Sequence, residues 1–168
     1  MIIIGKDSFL NNTKIRIRGN NNTIEIGKRC HIGKECSFWV EGNNITIKLG
    51  NENTFTRMVH FCAQENYQEI IVGNDCMFSN TIIVRTSDSH PIFSENGERL
   101  NNPRSVVIGN HVWIAPGSKI FKGSIIHDGS VIGSNSLVTK EIPPKSLAVG
   151  QPAKVIKNNI VWTRDELF

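Results

Sequence analysis

Residues 108–143 read IGNHVW IAPGSK IFKGSI IHDGSV IGSNSL VTKEIP, and each of these hexapeptides begins with an aliphatic residue. The fifth position of the first five holds a small residue, namely Val112, Ser118, Ser124, Ser130 and Ser136. A period of six excludes an amphipathic α-helix, whose apolar residues recur about every 3.6 positions. Fixed repeats of this kind are typical of parallel β-helices. We therefore expect an all-β fold in which three hexapeptides close one triangular coil.

The N-terminal third carries a rougher form of the same repeat. Ile26, Ile32 and Phe38 keep the six-residue step, and inserts rich in asparagine, such as those at 20–22 and 43–44, interrupt it. Asparagine tolerates a left-handed backbone and closes turns. We expect the inserts to form stacked corners of the prism.

One segment, 89–104, departs from the repeat altogether and contains proline, glycine and charged residues. Loops of this length inside compact domains are usually functional, so we expect the chemistry at its root.

The domain boundaries that we predict are 1–156 for the β-helix and 157–168 for a tail or short helix. Thr163 and Glu166 have the spacing of a helix capping box.

Charge and hydropathy exclude several classes of protein. The net charge of +4 is mild, and no run of lysine or arginine indicates nucleic-acid binding. No apolar run approaches the roughly 20 residues that cross a bilayer, and the start of the chain lacks the features of a signal peptide. We expect a soluble, cytoplasmic protein without membrane insertion.

The four cysteines do not have the pattern of a metal site or a disulfide framework. Cys30, Cys36 and Cys76 each fall four residues after an inward aliphatic residue, in the small inward slot. Free cysteine behaves there as a small hydrophobic residue. Cys62 lies outside the pattern, and its role stays open.

Several motifs resemble the hexapeptide-repeat O-acetyltransferases. They are NHVWIA at 110–115, LVTK at 137–140, GQPAK at 150–154 and SDSHPI at 87–92. The last is most similar to the branch that acetylates capsular polysaccharides, O-antigens and sialic-acid polymers. The resemblance implies a left-handed β-helix, acetyl-CoA as co-substrate, a sugar or polysaccharide acceptor, and a homotrimer with active sites between neighbouring prisms.

His90 is the candidate catalytic base. An alcohol needs a base before it can attack a thioester, and histidine titrates in the right range. The resemblance gives the histidine of the His90-Pro91 pair this role, in a direct attack without an acyl-enzyme. Asp88 falls in a slot expected to point inward; it could orient His90, hold the loop root or contact the sugar. Glu95 is a weaker candidate to orient His90.

The resemblance also implies the residues that contact acetyl-CoA. These are Trp113, Ala115, Ser134, Thr139, Lys140 and Lys154. Pro116 follows Ala115 and removes one backbone donor, and a backbone amide near Ala115 is our candidate for the oxyanion donor. His60 lies near the place where some relatives carry an acceptor-binding asparagine.

Two other functions share this architecture. One is a non-catalytic β-helix that serves as a scaffold or glycan-binding module. The other is a γ-type carbonic anhydrase, which binds zinc through three converging histidines. The five histidines are 31, 60, 90, 111 and 127, and no His-x4-His pair occurs among them. We therefore predict an acetyltransferase with no metal site.

Overall fold

The computed structural model describes residues 1–167, which form strands, turns and loops. The strands are β1 Ile2–Ile4, β2 Phe9–Leu10, β3 Lys14–Arg18, β4 Thr23–Ile26, β5 His31–Lys34, β6 Ser37–Glu41, β7 Thr46–Leu49, β8 Thr54–Gln64, β9 Glu69–Val72, β10 Met77–Arg85, β11 Val106–Ile108, β12 Trp113–Ile114, β13 Lys119–Ile120, β14 Ile125–Ile126, β15 Val131–Ile132, β16 Leu137–Val138, β17 Glu141–Ile142, β18 Leu147–Val149 and β19 Lys154–Lys157.

Each strand before β19 pairs in parallel with a strand one coil away, so the chain winds as a prism with three faces. Face 1 contains β1, β4, β7, β9, β11, β14 and β17 in that order. Face 2 contains β2, β5, the first parts of β8 and β10, then β12, β15 and β18. Face 3 contains β3, β6, the last parts of β8 and β10, then β13 and β16. The predicted all-β parallel helix is confirmed.

Coil length divides the prism into two parts. In the C-terminal part, equivalent positions are 18 residues apart, as the hexapeptides predict. In the N-terminal part the step is 23 residues, apart from a step of 22 between the first two coils on faces 1 and 2. The additional residues lengthen face 3, because β6 has 5 residues whereas β13 has 2. The wider coils also need larger side chains inside, and the buried residues Phe38, Phe55, Phe61 and Phe78 fill them.

Asparagines form a ladder along the corner between faces 1 and 2. The side-chain oxygen of Asn51 accepts a bond from the amide of Lys28 at 2.8 Å, and Asn74 and Asn110 repeat the contact on the following coils. The predicted inserts stack on a different corner, between faces 3 and 1, where the amide of Asn20 donates to the side-chain oxygen of Asn43 at 2.8 Å and Asn21 and Asn44 have left-handed φ values of 57°. The asparagine inserts are therefore stacked corners, as predicted.

The small inward slots are filled as expected. Ser118, Ser124, Ser130 and Ser136 are buried, and so are all four cysteines, which are free thiols. Burial raises the pKa of Cys76 to about 12, so this thiol stays protonated and unreactive. Cys30, Cys36 and Cys76 therefore occupy the small inward slots as free, buried residues, as predicted. Cys62 lines a pocket on the surface of the prism.

The C-terminal segment is extended. Strand β19 pairs with β18 in the antiparallel sense and covers the last coil. The chain then returns along the corner of faces 1 and 2, where Trp162 stacks on His111 at 4.0 Å and Arg164 binds Asp75 at 2.7 Å. Thr163 donates to Asp165 and does not cap a helix. The helix that we considered for this segment is absent from residues 157–167, and Phe168 lies outside the described residues.

The fully buried Asn53 offers a test of the coil register. Its amide group donates to the carbonyls of Gly50 and Gly73, and its oxygen accepts from the amide of Cys76. Asn53→Ala leaves these groups without partners away from water, and we expect it to lower the free energy of unfolding by about 3 kcal/mol. Urea denaturation measures this value.

The control for that variant is Asn51→Ala. Asn51 is exposed and makes an equivalent contact between coils, but water can replace the lost bond, so we expect a cost of about 1 kcal/mol or less. Equal losses in the two variants would contradict a register fixed by buried polar contacts.

Candidate functional site

A pocket of about 200 Å³ opens on face 3 next to the long loop. Trp39, Cys62 and Arg85 occupy one column of its wall, because strand register pairs Trp39 with Cys62 and Cys62 with Arg85. His60 and Ser89 complete the rim, and Ser89 directly precedes the candidate base. The extended part of face 3 therefore supplies a polar, aromatic-walled concavity beside His90.

His60 enters this pocket as a neutral side chain. Burial and, to a smaller extent, the nearby charge of Arg85 lower its pKa. Its Nδ1 forms a 2.6 Å hydrogen bond with the hydroxyl of Ser37, the residue that pairs with it on the preceding coil. The ring is thus held in place with its Nε2 available for a ligand.

The root of the loop is fixed by three side chains. Lys122 donates to the carboxylate of Asp88 at 2.6 Å, and Asn101 donates to the same carboxylate at 2.9 Å. Asn101 also donates to the backbone carbonyl of His90 and accepts from the amide of Ile92. These bonds hold the backbone on both sides of His90.

The position of Asp88 differs from the sequence-based expectation. Its side chain is 41% exposed and does not occupy an inward slot, because the chain leaves the coil before it. Within residues 1–167 its oxygens bind Lys122 and Asn101, and no bond joins them to the imidazole of His90. Of the three roles considered for Asp88, the geometry favours that of a loop anchor.

A second anchor lies on the same corner. Arg99 binds Glu65 through two hydrogen bonds of 2.6 and 2.8 Å, and Ser87 donates to the same carboxylate at 2.6 Å. Glu65 belongs to the insert of the preceding coil, so the loop grows from the corner where the earlier inserts stack. Arg99 meets Phe93 in a short antiparallel bridge that closes the loop on itself.

The structure separates His90 from Trp113. His90 lies at the corner of faces 3 and 1, whereas Trp113 lies on face 2, where it pairs with Met77 and Val131. Face 3 stands between them, and no contact of the described residues joins their side chains. Trp113 is half-buried and packs against Trp162 of the C-terminal segment, with ring centroids 6.0 Å apart.

The predicted acetyl-CoA residues fall on two corners. Ala115 and the exposed Ser134 lie between faces 2 and 3. Thr139 and Lys140 lie between faces 3 and 1, two coils beyond the loop root. Lys154 is exposed at the start of β19. The two corners lie on opposite sides of face 3, so the two sets of residues are separated within one chain.

One expectation about this region is wrong. The amide of Ala115 donates to the backbone carbonyl of Ile132 at 2.9 Å, and the amide of Gly117 donates to the backbone carbonyl of Asn80 at 3.0 Å. Both amides belong to the ladder between coils, so neither is free to bind an oxyanion. The amides near Ala115 are therefore structural.

Comparison with known proteins decides the family. A model described as "Bacterial transferase hexapeptide (six repeats)" matches residues 105–140. The polysialic acid O-acetyltransferase of Neisseria meningitidis is 35% identical over 97% of this chain and 75% of its own length. The chain belongs to the hexapeptide-repeat O-acetyltransferases. The galactoside O-acetyltransferase of Escherichia coli K12 is 46% identical, over 40% of this chain and 34% of its own length.

Solved structures agree with this family. The polysialic acid O-acetyltransferase OatWY has a TM-score of 0.73 at 29% identity, covering 99% of this chain and 93% of its own. The polysialic-acid-specific acetyltransferase NeuO has a TM-score of 0.76 at 28% identity, covering 98% and 78%. The prism is a left-handed β-helix of this family, and the predicted family and fold class are confirmed. The chain spans only 30% of the curated E. coli polysialic acid O-acetyltransferase that it matches.

Two of the remaining histidines are engaged in contacts with carboxylates. In the described part of the chain, no three His, Cys, Asp or Glu side chains converge as a metal site would require. His111 binds Asp75, and His127 binds Glu141 on face 1. Residues 1–167 contain no helix that is long and apolar enough to cross a membrane.

Sequence patterns did not reveal Arg85, Asn101 or Lys122. Arg85 and Lys122 fall at outward positions of regular repeats, where a solvated surface charge is the ordinary interpretation. Asn101 lies within the loop, where no period assigns a direction to its side chain. The 23-residue register brings Arg85 beside Cys62. Lys122 reaches Asp88 from the coil after the loop, and Asn101 reaches it because the loop folds back on its own root.

The loop anchors predict a loss of stability in acid. Hydrogen bonds from Arg99 and Lys122 lower the pKa values of Glu65 and Asp88, so both carboxylates contribute stability above their ordinary pKa values of about 4. We expect the free energy of unfolding to fall as pH drops below about 4, and Glu65→Gln to flatten this dependence. Denaturation between pH 3 and 6 tests it.

Glu95→Gln is the control, because Glu95 is an exposed loop residue and forms no ion pair among residues 1–167. The same flattening in both variants would contradict a specific anchoring role for Glu65.

Proposed function

We propose that this protein transfers the acetyl group of acetyl-CoA to a hydroxyl of a bacterial surface glycan or its sugar precursor, with His90 as general base. The observation that supports the proposal is the presentation of His90. Its backbone is held by Asn101, its side chain is exposed, and it follows a residue that lines the pocket on face 3. A site of this kind can hold an acceptor sugar next to a base.

In the proposed reaction, the acceptor hydroxyl attacks the thioester carbonyl directly. His90 takes the hydroxyl proton as the new C–O bond forms, and it returns that proton to the sulfur as the C–S bond breaks. Because the loop anchors fix the backbone of His90, its position is settled before substrates bind. Asp88 acts on the reaction through that backbone, by way of Asn101 and Lys122.

We propose that the working unit is a homotrimer with sites between its prisms. In one chain, His90 and Trp113 lie on opposite sides of face 3, so they can meet at one acetyl group only across an interface. Trp113, Ala115 and Ser134 would then contact acetyl-CoA from one subunit, and Thr139 and Lys140 from the other. Lys154 would meet the nucleotide phosphates.

The acceptor and the compartment are further parts of the proposal. Two relatives are named for polysialic acid and one for galactosides, so a charged polymer and a neutral sugar are the first acceptors to compare. Acetyl-CoA is made in the cytoplasm, where the four free cysteines would stay reduced. We therefore place the reaction there.

The first test is acetyl-CoA turnover by His90→Ala. With the best acceptor, we expect kcat to fall by about 10²- to 10⁴-fold, the usual contribution of a general base, with little change in the unfolding midpoint. His127→Ala is the matched control, because His127 is a surface histidine on another face. Near-wild-type activity of His90→Ala would refute the base assignment.

A second test asks whether two chains share one site. His90→Ala and Trp113→Ala should each be nearly inactive alone. If they are co-expressed and form mixed trimers, roughly a quarter of the interfaces should combine an intact His90 with an intact Trp113, and activity should return in proportion. Mixed trimers that remain as inactive as either variant would contradict a shared site.

A further inference from the structure

Arg85 is a pocket cation without an acidic partner. Most arginines of this chain meet a carboxylate, as Arg18, Arg29, Arg57, Arg99 and Arg164 do. No carboxylate of residues 1–167 lies within ion-pair distance of the Arg85 guanidinium. Its Nη2 instead donates to the hydroxyl of Ser89 at 2.7 Å and more weakly to Gln64 at 3.4 Å.

The environment of Arg85 makes this charge costly. The side chain is half-buried, and its Nε–H is fully buried with no hydrogen-bond partner in the structure. A buried donor without a partner and a cation without a counter-ion both destabilise a protein. Such an arrangement persists where a ligand supplies the missing acceptor.

The neighbouring groups do not neutralise Arg85. His60 is neutral, since burial and Arg85 itself lower its pKa. Glu41 is reached only through Gln64, whose amide donates to Glu41 at 3.1 Å while its oxygen faces Arg85 and Ser89. The charge of Glu41 is already balanced by Arg18. The pocket therefore carries an uncompensated positive charge at Arg85, and the guanidinium of Arg16, 5.0 Å from the centroid of the Trp39 ring, adds a second cation at its edge.

The geometry points to a ligand class. We propose that the pocket around Arg85 binds the carboxylate of an acidic sugar and thereby selects an acidic acceptor, whose hydroxyl it presents to His90. A guanidinium recognises a carboxylate through paired hydrogen bonds. The indole of Trp39, which carries the Arg16 guanidinium over its ring, forms an aromatic wall beside Arg85, and the Nε2 of His60 offers a polar contact. This inference rests on the proposed acetyl transfer.

The experiment compares acceptors that differ only in charge. The probes are a short sialic acid oligomer and the same oligomer with its carboxylates reduced to alcohols. With Arg85→Gln we expect KM for the acidic oligomer to rise about 10- to 100-fold, the range for loss of a paired charge contact. The KM for acetyl-CoA and for the reduced oligomer should stay within about twofold.

Two further variants sharpen this result. Arg85→Lys keeps the charge but loses the paired geometry, so it should recover part of the affinity. Arg57→Gln, on an exposed corner where it pairs with Glu35, should behave as wild type. An equal KM change for both oligomers, or no change for either, would overturn the proposal.

Direct binding separates this inference from the proposed function. Calorimetry with the wild-type protein and no acetyl-CoA should show tighter binding of the acidic oligomer than of the reduced one, and Arg85→Gln should remove the difference. Preferential binding without acetyl transfer would refute the enzymatic proposal and support the pocket. Equal binding of the two oligomers by the wild type would overturn the pocket assignment even if acetyl transfer occurs.

Discussion

The pairing register between successive coils is the constraint on which the rest of this structure depends. Each strand before β19 takes its backbone partners from a neighbouring coil, so a residue's neighbours are those one coil earlier and one coil later. Stability then accumulates from coil to coil. The functional site obeys the same rule, because outward side chains of different coils become neighbours only when the coil length aligns them in one column.

The change in coil length creates the functional region. Coils with the 23-residue step have a longer face 3, and the pocket of Trp39, His60 and Arg85 opens on that face. The corner inserts of these coils stack, and Glu65 in the last of them holds the long loop through Arg99. Where the step shortens to 18 residues, Lys122 reaches Asp88 and fixes the loop from the other side. His90 is thus held at the junction of two regular structures.

The sequence predicts the regular parts well because they obey one period. The hexapeptides identify the fold, and the positions of Cys30, Cys36 and Cys76 follow from the same count. The asparagine corners follow from backbone preference. The anchoring of Asp88 by Lys122 and Asn101 could not be predicted, because it depends on which way a non-repetitive loop folds back. The same limit explains why a helix was considered for the segment that instead lies extended along the prism.

The central claim is that the pocket and His90 form one acceptor site. A crystal structure of the protein with CoA and a short sialic acid oligomer tests it most directly. We expect a sugar carboxylate paired with the Arg85 guanidinium and a hydroxyl of the same oligomer within about 3 Å of a ring nitrogen of His90. An oligomer bound elsewhere on the prism, with His90 far from any hydroxyl, would contradict the claim.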